Sequence, residues 1–113
     1  MTRKQLVLNE LLSAYFGKEY FYNKNEKIPR GWVPSWVIIS PEVGGLSGLR
    51  RLRELREAGI EIEHTIFYRH LPDGSRERTN TTIYRLITPP QYIDRENCKI
   101  IKAEKNGQLL LII

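Results

Sequence analysis

The chain has one cysteine, Cys98, among 113 residues. A single cysteine closes no internal disulfide and finds no second thiol for a zinc-ligand pair. It reads as a small, half-buried apolar residue. The two histidines, His64 and His70, have no cysteine at metal-ligand spacing, so no metal or cofactor is expected. Long apolar runs are missing too. The terminal "LLLII" of residues 109–113 is far too short to span a bilayer. The N-terminal "MTRKQLVLNELLSAYFGKEY" has no apolar stretch followed by small residues, so it is not read as a signal peptide, and a cytoplasmic protein is expected. There is no glycine-rich phosphate loop of the Walker type. Ser47, His64 and Asp73 combine into a triad only on paper, and an enzyme is not expected.

What remains is ordinary for a globular protein: 41% hydrophobic and 27% charged residues. The length fits one domain with a small appendage, large enough for a modest core without disulfides. A formal charge of +5 favours an anionic partner, although basicity of this size does not establish one.

Residues 2–16 predict a helix with Leu8, Leu11, Leu12 and Tyr15 on its apolar face, Thr2 as cap and Gly17 as stop. Residues 17–33 read as a long polar connection whose Tyr20, Phe21 and Tyr22 pack it onto the body. Interleaved with Lys18, Lys24, Lys27 and Arg30, the same aromatics also suit base stacking. Trp32 and Val33 suit a very short strand. Pro34 and Ser35 then start a short buried helix, despite the β-branched run Val37, Ile38, Ile39. "PEVGGLSG", residues 41–48, is turn chemistry, with Ser47 placed to cap the next helix. That helix runs from Ser47 to Ala58, with Leu49, Leu52, Leu55 and Ala58 on one side and Gly59 as a left-handed stop.

The period then changes to two. "IEIEHTIFYRH" is a half-buried strand, "LPDGSRERTN" a long turn, and "TTIYRLIT" the returning strand, so residues 60–88 predict a hairpin with a basic tip. Residues 89–97 look like a linker. Residues 98–113 predict a second hairpin turning at Asn106-Gly107. Its "QLLLII" lacks alternation, which suggests burial on both faces and a homodimer formed through residues 98–113.

The order is helix, brief strand, short helix, tight turn, arginine-rich helix and hairpin. "LRRLRELREAGIEIE" followed by "TIYRL" resembles the second helix and wing of winged helix-turn-helix domains, of the biotin-operon-repressor type and of small bacterial or phage winged-helix proteins. The resemblance covers residues 2–88 and is most specific at 49–63 and 83–86. Two features depart from it: a longer connection before the short helix, and that helix's β-branched composition. It implies an α+β fold of three helices plus a wing in residues 1–88, to which this chain adds a C-terminal hairpin.

In such a fold the start of the arginine-rich helix enters the major groove. Ser47, Arg50, Arg51, Arg53 and Glu54 then lie nearest bases and phosphates, and Arg69, Arg76 and Arg78 sit at the wing tip. Arginine can bond guanine bidentately, glutamate can accept from cytosine, and tip arginines can hold phosphates. The expected partner is double-stranded DNA, and the expected role a small transcriptional regulator or a phage or mobile-element accessory protein. A competing reading is a solvated helix face laced by Arg50–Glu54 and Arg53–Glu57 pairs one turn apart. A protein-interaction module and a phage packaging subunit are the alternatives at the level of function.

Overall fold

In the computed structural model, which describes residues 1–101, Thr2 opens the first helix. Its side chain accepts from the Gln5 N–H while the Gln5 side chain accepts from the Thr2 N–H, a reciprocal capping box. α1 (Arg3–Tyr15) buries Val7, Leu8, Leu11, Leu12 and Ala14. Tyr15 belongs to the same arc but lies in the last turn, where the helix outruns the core, and stays 44% exposed. Its ring meets Phe16 edge-on.

The connection that follows is not plain coil. β1 (Phe21–Asn23) and β2 (Glu26–Lys27) pair antiparallel in a small hairpin. Tyr20 is buried, with its hydroxyl donating to the Glu10 carboxylate. Tyr22 packs between Phe67, at 5.1 Å between ring centroids, and Trp36, at 6.0 Å. Two of the three aromatics therefore hold the insertion against the body, and Phe21 is exposed.

β3 (Trp32–Pro34) leads directly into the four-residue α2 (Ser35–Ile38), which is not the buried helix expected: only Ile38 is buried, and Trp36 is exposed because one turn can present a single side chain to the core. The backbone then folds back tightly. Gly44 donates to the Ile38 carbonyl at 2.9 Å, and a Cβ on Gly48 would meet that same oxygen at 2.3 Å. Only glycine lets the next helix start this close to α2.

α3 (Gly48–Glu57) continues a 3-10 turn over Gly45–Ser47. Ser47 makes no side-chain cap bond, contrary to expectation, because its φ of −96° and ψ of 17° continue the turn and lack the extended form of a capping residue. The buried face is Gly48, Leu52 and Leu55. Leu49, expected among them, is 49% exposed, since close packing at Gly48 rotates the buried arc away from it. Gly59, at φ 98°, ends the helix: its N–H donates to the Arg56 carbonyl and the Ile60 N–H to Leu55. This is a Schellman motif.

β4 (Ile62–His70) and β5 (Arg76–Leu86) form the main hairpin, and the sheet order is β3-β5-β4, all antiparallel. The strands run further toward the tip than expected. Arg76–Asn80 belong to β5, with Arg76 opposite His70 and Arg78 opposite Tyr68, so the turn shrinks to Leu71–Ser75. This distal ribbon is mostly solvated, so it carries no alternating hydropathy from which a strand could be read. α1 packs across α3, β3 and β5, and the core lies between them.

Residues 89–97 carry more structure than a linker. They hold a 3-10 turn (Pro90–Tyr92) and β6 (Ile93–Asp94), which pairs with β7 (Lys99–Ile100). Ile93 and Cys98 join the core, so Cys98 is buried and not half-buried, and the Ile100 side chain covers Gly59. Lys99 and Ile100 thus pair with residues 93–94, whereas a turn at Asn106-Gly107 was expected to pair them. That turn and residues 102–113 of the expected dimer segment lie outside the described residues. The chain is α+β, and no helix among the described residues is long and apolar enough to cross a membrane.

Candidate nucleic-acid interface

α3 divides its arginines by direction. With Gly48, Leu52 and Leu55 facing the core, Arg50, Arg53 and Glu57 point away from it and are exposed. Neither Arg50 nor Arg53 forms an ion pair with a described residue. The expected Arg50–Glu54 and Arg53–Glu57 pairs are absent, and Glu54 instead meets Arg51 at 3.3 Å, one helical step nearer. That pair lies half-buried on the flank of α3, with Ser47 exposed at the head of the helix. Of the five residues expected on the reading face, Arg50 and Arg53 stand outward, whereas Arg51 and Glu54 are engaged with each other.

Arg56 has a different task. Its Nε donates to the Ile62 carbonyl at 3.1 Å, and its Nη2 lies 3.0 Å from Nδ1 of His64, whose ring leans on Tyr84. These bonds tie the end of α3 to the start of β4. Tyr84 is held above its ordinary pKa by burial, with the Arg56 charge opposing. Glu63, at the base of the hairpin, is paired with Arg85, whose guanidinium also lies over the Trp32 ring at 4.8 Å.

The hairpin tip is partly engaged as well. Arg69 bonds Glu26 at 3.0 Å and Glu77 at 3.3 Å and lies over the Tyr22 ring. Glu26 accepts a second bond from the His70 N–H at 3.0 Å. Burial alone would raise the Glu26 pKa, but the bonds from Arg69 and His70 and their charges hold it below the ordinary value. Arg69 is correspondingly raised, chiefly by its bond to Glu26. Arg76 lies over the Tyr68 ring at 5.1 Å, and Arg78 is exposed. Asp73 is held low by bonds from the Ser75 hydroxyl and N–H, which fix the turn. Arg76 and Arg78, opposite His70 and Tyr68, keep their charges outside any described ion pair, and Arg69 does not.

No protein-family model, curated protein or solved structure matches the chain. The functional signal is therefore the chemistry of this surface. Two of its members had no local sequence signal. Glu26 lies 43 residues from Arg69, in a segment that reads as coil. Arg3, at the start of α1, donates to the carbonyls of Pro41 and Val43 and so reaches the turn before α3. Among the described residues no group of acidic, cysteine or histidine side chains could hold a metal ion.

Proposed function

We propose that the chain binds double-stranded DNA as a winged helix-turn-helix protein, acting as a small transcriptional regulator or a phage or mobile-element accessory factor. One observation carries the reading: Arg50 and Arg53 stand exposed, outside any described ion pair, on a helix cemented to the main hairpin by Arg56. The order α1, β3, α2, α3, β4, β5 and the sheet order β3-β5-β4 support a winged-helix reading. The β1–β2 insertion accounts for the long connection that departs from that pattern.

In this reading α3 lies in the major groove and offers Arg50 and Arg53 to base edges and phosphates. Arg76 and Arg78 lie against the neighbouring backbone. Arg51–Glu54 shapes the flank and adds little base readout of its own. Arg69 braces the hairpin through Glu26, and in this reading its part in DNA binding is secondary to that of Arg76 and Arg78. Selection of bound sequences from a random duplex library tests the reading. The native chain is expected to enrich a short motif, and Arg50→Ala to relax it at the position that Arg50 reads. Enrichment of no motif by the native chain contradicts sequence preference.

A protein-interaction module is the second reading, favoured by the exposed aromatic rings of Phe16 and Phe21. Under that reading duplex binding is weak and indifferent to Arg50 and Arg53, whereas Phe21→Ser removes partner binding.

A further inference from the structure

A recess of about 410 Å³ opens beside the start of α3, bounded by Arg3, the Gly44–Ser47 turn and Arg51. It lies on the flank of the helix and not on its outward face. Arg3 reaches it from the other end of the sequence. Bonds to the Pro41 and Val43 carbonyls fix its guanidinium, and its Nε and Cζ lie under 4 Å from the Cβ position of Gly45. Those bonds engage only one of the two terminal nitrogens, Nη1. Arg51 enters from α3. Its pair with Glu54 engages Nη1, and its Nε is buried without a hydrogen-bond partner among the described residues. The donor left to an incoming acceptor is Nη2 of Arg51, which, like Nη2 of Arg3, is in no described bond. The Ser47 hydroxyl makes no cap bond and is free to donate. Two guanidinium groups against one carboxylate leave a net positive recess, with donors on two sides.

Guanidinium groups and a hydroxyl converging on an open recess suit a tetrahedral oxyanion. We propose that Arg3, Ser47 and Arg51 form a phosphate seat that takes a phosphodiester of the strand running past the start of α3. The source of the phosphate rests on the DNA reading above; the seat itself does not. The seat adds a sequence-independent anchor, which sets where along α3 the duplex lies and leaves Arg50 and Arg53 to read it. It also gives Arg3 a role beyond bracing the turn.

Leu46 supplies a clean test, because it lines the recess and is 100% exposed, so a change there disturbs no packing. Leu46→Glu places a carboxylate at the mouth, where it competes with phosphate. Ser13→Glu, exposed and about 15 Å along α1 from Arg3, makes the same change of charge elsewhere. Two arms are measured on the full chain at matched ionic strength: affinity for a short random duplex, and amide shifts of Gly45–Ser47 on titration with inorganic phosphate. The expected result is a several-fold loss of duplex affinity and of the phosphate shifts in Leu46→Glu and Arg51→Gln, and much smaller changes in Ser13→Glu. Duplex binding that survives Leu46→Glu and Arg51→Gln unchanged overturns the seat and leaves the DNA reading standing. No duplex binding by the native chain, with phosphate shifts that Leu46→Glu abolishes, overturns the DNA reading and supports the seat as a site for free phosphate. No response in either arm overturns both.

Discussion

The Glu26 carboxylate accepts from the Arg69 guanidinium at 3.0 Å and from the His70 N–H at 3.0 Å, so the β1–β2 insertion holds the distal part of β4. The folded-state pKa of Glu26 is depressed, so its stabilising contribution is present above the unfolded value of about 4.5 and is lost as pH falls through the folded value. Amide exchange of His70 is expected to be slow at neutral pH, to quicken several-fold in Glu26→Gln, and to lose that difference in acid. An unchanged His70 amide in Glu26→Gln contradicts the brace.

The approach of α3 to α2 gives a second prediction. A Cβ at Gly48 would meet the Ile38 carbonyl oxygen at 2.3 Å and its carbon at 2.9 Å. Gly48→Ala is expected to destabilise the protein by about 1–3 kcal/mol, as overpacking does. The helix preference for alanine, about 1 kcal/mol, opposes it and is the smaller effect. Chemical denaturation measures this, and a midpoint equal to or above the native one contradicts the close approach.

Tyr20 yields a third. Burial first, then its bond to Glu10 and the Glu10 charge, raise its pKa well above the ordinary 10.0. The unfolded phenol loses its proton before the folded one, so stability falls as pH rises above about 10. In an absorbance titration Tyr20 is expected to ionise only with unfolding, and Tyr20→Phe to flatten the alkaline loss of stability. All six tyrosines ionising normally in a folded protein contradict this burial.

Local signals carried α1, the brief β3 with α2, and the end of α3. The Leu52–Leu55 spacing and Gly59 are local signals of a helix and of its stop. Packing between distant segments was not legible. Leu49 is exposed because Gly48 packs on the Ile38 carbonyl, a tertiary fact without a local pattern. Arg76–Asn80 looked like turn because a solvated ribbon needs no alternation. On the candidate surface, helical periodicity put Arg50, Arg53, Glu54 and Glu57 opposite the leucines, and of these Arg50, Arg53 and Glu57 are exposed whereas Glu54 is half-buried. The partners of Arg51 and Arg69 are set by side-chain reach and by a 43-residue separation, and pattern alone missed both.

In the proposed function, the outward face of α3 meets DNA through Arg50 and Arg53. The direct measurement is the salt dependence of duplex binding by the native chain and by Arg50→Ala/Arg53→Ala. Both side chains are exposed, so the double variant is expected to keep its stability within about 0.5 kcal/mol per site. The native chain should bind more weakly as salt rises. The variant's slope of log affinity against log salt should be shallower by about 0.9 for each phosphate that the two arginines neutralise. Identical slopes and affinities for the two proteins, or no duplex binding by the native chain at low salt, contradict it.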